Sequence, residues 1–500
     1  MWPDLDLLEG CLCGLVLAGA LPLVASLLQF SLVGVHGLSN HYPKVAPYLP
    51  RLAIVVPAWN EEGVIGTTLD QLLALEYAED RLRVFVVDDA STDRTPEIVG
   101  EYARLHPDRV VHLRRENGGQ GKAHTLNYGL RRILESPWTE AFLIIDADVL
   151  FEADALWKMT RHLADPEVGA VTAYIKEGSA PGNSITRFIA FEYITAQAAS
   201  RRAQNVLGTL ACLAGGAQLH HRDSFERIGG EIDTSSLAED TFTTFRVQLA
   251  GRRVVFDGNA TVWAEEPASI DGVWKQRLRW ARGNVQVTSA FRHIWLRGRR
   301  YAGLGAITFS LLWFTILLMP AFMIGASVGL VSLYFVDSAL SWRVFELLWI
   351  TNVITYLYVT VFSLMIDPAT ARRSWIQGLA FPGLVSFSIL VYTAYPPLVD
   401  RWLVGRLRAL DLLPPPTFLE ALVLFCYAWL GLCMAAAWVL RRLETSGWPK
   451  RWIRLLLYVV GFGPLLCAIT LDAFRLEWQG AEMKWDKTEK SGNVTLGDAT

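Results

Sequence analysis

Six stretches of the chain contain no Asp, Glu, Lys or Arg: Gly10 to Pro43, Ala302 to Val336, Leu347 to Ile366, Ser374 to Val399, Ala421 to Leu440 and Leu455 to Leu471. Each approaches or exceeds the ~20 apolar residues that cross a bilayer. Between the first two lies Lys44 to Tyr301, which carries most of the charge and is long enough to bury a core of its own. The pattern predicts a membrane anchor over 1–43, a soluble domain over 44–300, and a bundle of about five helices over 301–475. A polar, disordered tail follows over 476–500.

Within the soluble domain the pattern changes. Short apolar runs at Leu52 to Pro57, Leu82 to Asp88, Ala141 to Asp146 and Ala170 to Tyr174 alternate with helical periodicity, which predicts an α/β fold on a parallel sheet. Ligands of such sheets bind outside the carboxyl ends of the strands. The residues there are polar: Asn60, Glu61 and Glu62, then Asp88 and Asp89, then Asp146 and Asp148.

Composition narrows the class. The 500 residues are 52% hydrophobic and 19% charged, which excludes disordered, collagen-like and small disulfide-rich proteins. A net charge of −3 gives no electrostatic footprint for nucleic acid. Cys11, Cys13, Cys426, Cys433 and Cys467 lie in apolar stretches and only Cys212 in the soluble part, so neither a disulfide framework nor a zinc spacing exists. The first apolar stretch is longer than a signal-peptide core and reads as a retained anchor.

Asp4, Asp6 and Glu9 before that stretch place the N-terminus outside and the soluble domain in the cytosol. Arg372 and Arg373, and the group Arg441, Arg442, Lys450 and Arg451, then fall inside if every stretch crosses once. The loop with Arg401, Arg406 and Arg408 disagrees. It is either interfacial, ahead of Pro414, Pro415 and Pro416, or the stretch broken by Pro382, Pro396 and Pro397 does not cross simply. About six crossings result.

Several carboxylates at one sheet edge repel unless a cation or a donor-rich ligand joins them. Asp146-Ala147-Asp148 offers hard oxygens to a divalent cation, with pyrophosphate completing the shell; the plain alternative is a pair of turn caps. Asp88 and Asp89 have the same alternative, an N-cap ahead of Pro96. Gly118 to Lys122 fails the Walker spacing, because positions 116 and 123 are Glu and Ala. Lys122 either contacts a nucleotide diphosphate after a glycine turn or belongs to a flexible loop. His220 and His221 are adjacent, point to different sides, and read as structural rather than metal-binding. Glu239 and Asp240 precede a helical run. In Gln276-Arg277-Leu278-Arg279-Trp280, positions 276, 279 and 280 share one helix face, either as a ligand-binding face or as an interfacial anchor.

In order, Val-Val-Pro-Ala-Trp-Asn-Glu-Glu, Val-Asp-Asp-Ala-Ser, Gly-Lys-Ala-x-x-Leu-Asn, Asp-Ala-Asp, Ala-Glu-Asp and Gln-Arg-Leu-Arg-Trp resemble the processive family 2 membrane glycosyltransferases. Cellulose, chitin, hyaluronan and poly-N-acetylglucosamine synthases belong to that family. The resemblance implies an α/β GT-A (Rossmann-like) cytosolic domain with an α-helical transmembrane bundle. It also implies a UDP-sugar donor, UDP-N-acetylglucosamine or UDP-glucose, a divalent cation (Mg2+ or Mn2+), and inversion by single displacement. By the same resemblance Pro57, Glu61, Asp88, Asp89, Lys122 and Asp146 contact the nucleotide sugar, and Asp148 with Asp146 holds the metal. Asp240 is the catalytic base, and Glu239, Gln276, Arg279 and Trp280 bind acceptor and diphosphate.

The expectation is a multi-pass hexosyltransferase of the plasma (inner) membrane that extends and exports a β-linked polysaccharide, with room for a small membrane accessory subunit. Two departures from the family pattern stand out: Ala238 replaces a more familiar Thr, and Leu219-His220-His221-Arg222 follows the glycine pair. The second puts the identity of the sugar in doubt. No PilZ-like pattern follows the bundle. The alternative is a non-processive glycolipid synthase of the glucosylceramide synthase kind, which transfers one sugar to a lipid acceptor. A transporter with a degenerate enzyme domain would have lost acidic motif residues, and none is lost.

Overall fold

The computed structural model describes residues 6–39, 42–298, 300–399, 404–410, 415–483 and 494–496. Asp4, Arg401, Pro414 and most of the tail lie outside the described residues. Two compact units are present: Leu32–Ser310 with Gln479–Thr500, and Met1–Ser31 with Leu311–Trp478.

Among its described residues the first unit has eight strands: β1 (Leu52–Ala58), β2 (Leu82–Asp88), β3 (Val110–Arg114), β4 (Ala141–Ile144), β5 (Val149–Phe151), β6 (Val168–Glu177), β7 (Gln218–His221) and β8 (Arg253–Ala264). Their order across the sheet is β3-β2-β1-β4-β7-β6-β8-β5. Leu52 to Val56 are fully buried in succession, so both faces of β1 are covered, which is why this strand reads as a continuous apolar run.

The four apolar runs are strands, but the sheet is mixed rather than parallel throughout. β1, β2, β3 and β4 run parallel, as do β6 and β8, whereas β7 is antiparallel to both neighbours and β5 is antiparallel to β8. β7 escapes an apolar-run search because it is four residues long and ends in two histidines. His220 is buried, stacked on Phe142 at 5.2 Å and edge-on to Phe225, while His221 on the opposite side is half-buried. β8 is hidden by a bulge: Asp257 faces Ala173 and Thr261 faces Tyr174, so Gly258 to Ala260 loop out. The buried Asp257 carboxylate accepts from His162 Nε2 at 2.8 Å, Arg161 Nη2 at 3.0 Å and the Asn259 amide at 2.9 Å.

Among the described residues four helices are long and apolar enough to cross a membrane: Leu7–Leu38, Met319–Val336, Ser338–Ile366 and Pro416–Thr445. Lys450–Val460 and Phe462–Trp478, bent by 90° at Gly461, pass the same test only when the two are taken together. Two expected stretches come out shorter. Ala302 to Val336 is split at Leu318 into Ile307–Leu317 and Met319–Val336, because Pro320 starts a new helix. Ser374 to Val399 is broken into the short helices Trp375–Leu379, Leu384–Ala394 and Pro396–Val399, separated at the Pro382-Gly383 turn and at Pro396. Leu7–Ala18 and Met319–Val336 meet through small residues: a Cβ on Gly329 would stand 2.8 Å from Val16.

Candidate active site

The carboxyl ends of β1, β2 and β4 open onto one cavity of about 880 Å3. The loops there are interlocked before any ligand is considered. The Asn60 amide donates to Ser91 Oγ at 2.9 Å, the Glu61 amide to Thr95 Oγ1 at 2.8 Å, and in return the Arg94 amide donates to Glu62 Oε2 at 3.0 Å. Glu62 is thus consumed by the loop, while Glu61 and Pro57 line the cavity.

The structure separates Asp88 from Asp89. Asp89 lines the cavity, accepts the Gly119 amide at 2.9 Å and pairs with Arg115. Asp88 is fully buried and turned away from it: it accepts the Ser91 amide at 2.8 Å and lies 3.4 Å from Arg114 Nε and 3.8 Å from His112 Nε2. Burial would raise its pKa, but His112, Ser91 and Arg114 outweigh burial and hold it below the usual carboxylate value. Neither residue caps the helix Thr95–Leu105, whose N-cap position is Arg94; Asp93 Oδ1, just ahead of it, accepts from the Thr95 amide at 3.0 Å.

The glycine turn is folded onto Asp89. A Cβ on Gly118 would stand 2.2 Å from the Asp89 carbonyl oxygen, so only glycine fits. Gly121, at φ 106°, then starts the helix Lys122–Glu135 and aims Lys122 inward. Lys122 Nζ lies 2.5 Å from Asp146 Oδ1, 3.7 Å from Glu239 Oε1, and donates to the Gly215 carbonyl at 3.3 Å. Burial pulls its pKa down, but Asp146, Glu239 and Asp240 pull harder and the net direction is up. Glu239 moves up as well: burial and Asp240 raise it against the opposing Lys122 and Arg279 charges.

Glu239 and Asp240 occupy the first turn of the helix Glu239–Leu249 and also line the cavity. Asp240 Oδ1 accepts the Thr241 amide at 2.7 Å. Against this turn packs the helix Ile270–Ala290, at van der Waals limits: a Cβ on Gly283 would stand 2.5 Å from Ala238 Cβ, and the Leu237 amide donates to Gln286 Oε1 at 2.8 Å. Gln276, Arg279 and Trp280 all line the cavity from this helix, as their spacing requires.

Three supporting groups lie outside the sequence expectation. Arg277 is buried, pairs with Glu192 at 2.8 and 3.2 Å, donates to Gln276 Oε1 at 2.5 Å, and lies 4.0 Å from the Trp280 ring centroid. Glu266 lines the cavity and accepts from Gln276 Nε2 at 3.2 Å and from the Tyr193 hydroxyl. Burial pushes its pKa up to about 7, aided by the Asp148 charge and opposed by Arg277, Tyr193 and Gln276. The tail supplies the third: Arg282 donates to the carbonyls of Ala481 at 2.6 Å and Glu482 at 3.0 Å, and Met483 reaches the cavity wall. The described part of the tail is therefore placed, not loose, and Val494 bridges Ser179.

Among the described residues no three His, Cys, Asp or Glu side chains form a metal cage. After β4 the cavity is lined by Asp146, Ala147, Asp148 and Val149, of which the two aspartates carry carboxylates. Two carboxylates with the remaining positions left to phosphate and water suit a small hard cation of the magnesium type, which seldom takes an all-protein cage.

Residues 50–283 match the sequence family described as Glycosyltransferase like family 2. They form a family 2 glycosyltransferase domain. This glycosyltransferase domain is 35% identical over 245 residues to "Probable glycosyltransferase YdaM" of Bacillus subtilis, covering 49% of this chain and 57% of the relative. It is 27% identical over 237 residues to the poly-beta-1,6-N-acetyl-D-glucosamine synthase of Staphylococcus epidermidis, covering 47% and 55%. The chain spans just over half the length of these curated relatives. Among solved structures, a mannosyltransferase from Pyrobaculum calidifontis, in complex with GDP-Man and Mn2+, superposes with a TM-score of 0.54 at 24% identity, over 79% of this chain and 99% of that one. The glycosyltransferase domain has the GT-A fold, on the mixed sheet described above.

Proposed function

We propose that this protein transfers a hexosyl unit from a UDP-sugar, UDP-N-acetylglucosamine or UDP-glucose, to the end of a growing β-linked polysaccharide, with inversion, and passes the product across the membrane. One observation carries the reading: carboxylates from three separate sheet and helix ends, Asp89, Asp146 with Asp148, and Asp240, share a cavity with Lys122, Arg279 and Trp280. The similarity to poly-N-acetylglucosamine synthases favours N-acetylglucosamine and a polymeric acceptor.

In this mechanism Asp89, Glu61 and Pro57 hold the nucleoside. Lys122 and Arg279 face the diphosphate and stabilise the charge that develops on it as the sugar departs. Asp240 accepts the proton of the attacking hydroxyl, while the Trp280 indole stacks on the acceptor sugar, and Glu239 and Gln276 complete its polar contacts. Asp148 and Asp146 would hold Mg2+ or Mn2+, whose chemistry is to neutralise the diphosphate leaving group.

The decisive experiment supplies the purified chain with radiolabelled UDP-sugars and sizes the product. A polymer from one of them is expected. A product confined to a chloroform-soluble, singly glycosylated lipid would transfer the assignment to a glycolipid synthase, and turnover of no UDP-sugar would remove the reading.

A further inference from the structure

The helix Pro416–Thr445 closes with Arg441 and Arg442, a turn through Trp448 and Pro449 follows, and the helix Lys450–Val460 then meets Phe462–Trp478 at 90°. Backbone packing fixes this bend. Gly461 has φ 99°, and a Cβ there would stand 2.5 Å from the Gly383 amide nitrogen; a Cβ on Gly383 would stand 2.3 Å from the Val460 carbonyl oxygen. No side chain fits between them, so the Pro382-Gly383 turn and the break at Gly461 lock each other in place.

The eleven-residue helix Lys450–Val460 is too short to cross a bilayer. Ile453, Leu457 and Val460 are buried, leaving Lys450, Arg451, Trp452, Arg454 and Leu455 on the outward face. Two properties of that face stand side by side, exposed apolar side chains and exposed cations. Trp448, Trp452 and Leu455 are 50%, 48% and 52% exposed. Arg442, Lys450, Arg451 and Arg454 are all exposed, and among the described residues none pairs with a carboxylate. Glu444 is the one acid between positions 441 and 460.

We propose that the segment Arg442 to Arg454 is a binding site for anionic phospholipid headgroups. The inference rests on reading the bundle as membrane-spanning. A headgroup layer supplies phosphate to the four cations and a hydrocarbon boundary to the two indoles and the leucine; free phosphate would satisfy only the first requirement. Arg442 and Arg451 also lie 5.9 and 5.7 Å from the ring centroids of Trp438 and Trp452, which holds cation and indole side by side at one depth. If these charges served only to orient the chain during insertion, they would not discriminate between headgroups.

The test is native mass spectrometry of the purified full chain offered equal amounts of phosphatidylglycerol and phosphatidylcholine. The unmodified chain should retain phosphatidylglycerol in about tenfold preference, and R442Q/K450Q/R451Q/R454Q should bring the two lipids close to parity, with UDP affinity unchanged. Equal retention of both lipids by the unmodified chain overturns the site, as does an undiminished preference in the variant. If the quadruple variant does not fold, the competition on the unmodified chain and the pair R451Q/R454Q decide. Failure of the underlying membrane reading shows separately, as release of the chain from membranes by alkaline carbonate.

Discussion

Asp240 is the residue on which chemistry and architecture can be told apart. A carboxylate in the first turn of a helix contributes ~0.3 to 1 kcal/mol to stability, whereas a general base contributes ~10² to 10⁴ in rate. Asp240→Asn should therefore lose transfer by about that factor while UDP binding, measured on the same preparation, stays intact; a normal rate would exclude the base. The adjacent aspartates give a second contrast. Asp89→Ala removes the acceptor of the Gly119 amide and the partner of Arg115, so UDP affinity should fall about tenfold or more by calorimetry. Asp88→Asn, away from the cavity, should leave UDP affinity within about threefold and lower the melting temperature instead. Both aspartates follow an apolar run, and nothing in the sequence chooses between them. The choice follows from which way each side chain leaves the strand end, one into the core and one into the cavity, and that is set by pairing with β1. His220 adds a pH dependence. Burial lowers its pKa to about 3, below the ordinary 6.5, so the unfolded chain takes up the proton first. Stability should be flat above about pH 6.5 and fall by about 2 kcal/mol towards pH 5, and His220→Leu should flatten that slope in thermal melts.

At the scale of elements, the site depends on how closely the helix Ile270–Ala290 lies on the turn that carries Asp240. Gly283→Ala puts a methyl group 2.5 Å from Ala238 Cβ and 2.7 Å from the Ala238 amide nitrogen. The expected cost is ~1 to 3 kcal/mol of stability, with a fall in kcat as the turn shifts. Ala238→Gly should rescue only part of it, because the nitrogen remains; full rescue in a steady-state assay would show that the backbone approach is unimportant. This helix was legible because Gln276, Arg279 and Trp280 repeat at helical spacing, and the Asp146 and Asp148 pair because it follows four apolar residues. Arg277 was not, since its partner Glu192 lies 85 positions away. Glu266 had one signal, a carboxylate shortly after a strand, but the strand itself was obscured where Asp257, Gly258 and Asn259 interrupt β8. The antiparallel β7 was lost for a related reason: of its three buried side chains only Leu219 is aliphatic, the others being Gln218 and a neutral histidine.

At the scale of the molecule, the proposed cytosolic placement of the glycosyltransferase domain predicts that a thiol introduced at the exposed Glu62 is protected from an impermeant reagent in intact cells and reacts after lysis. Labelling of intact cells would reverse the topology. The described tail carries a consequence of a different sort. Arg282 grips the main-chain oxygens of Ala481 and Glu482. Those two bonds end on backbone oxygens, which every residue carries, so they survive substitution at 481 and 482 but not the loss of the guanidinium at 282. Across descendants of this chain, drift in the tail beside constancy in the helix would be the trace of one and the same contact.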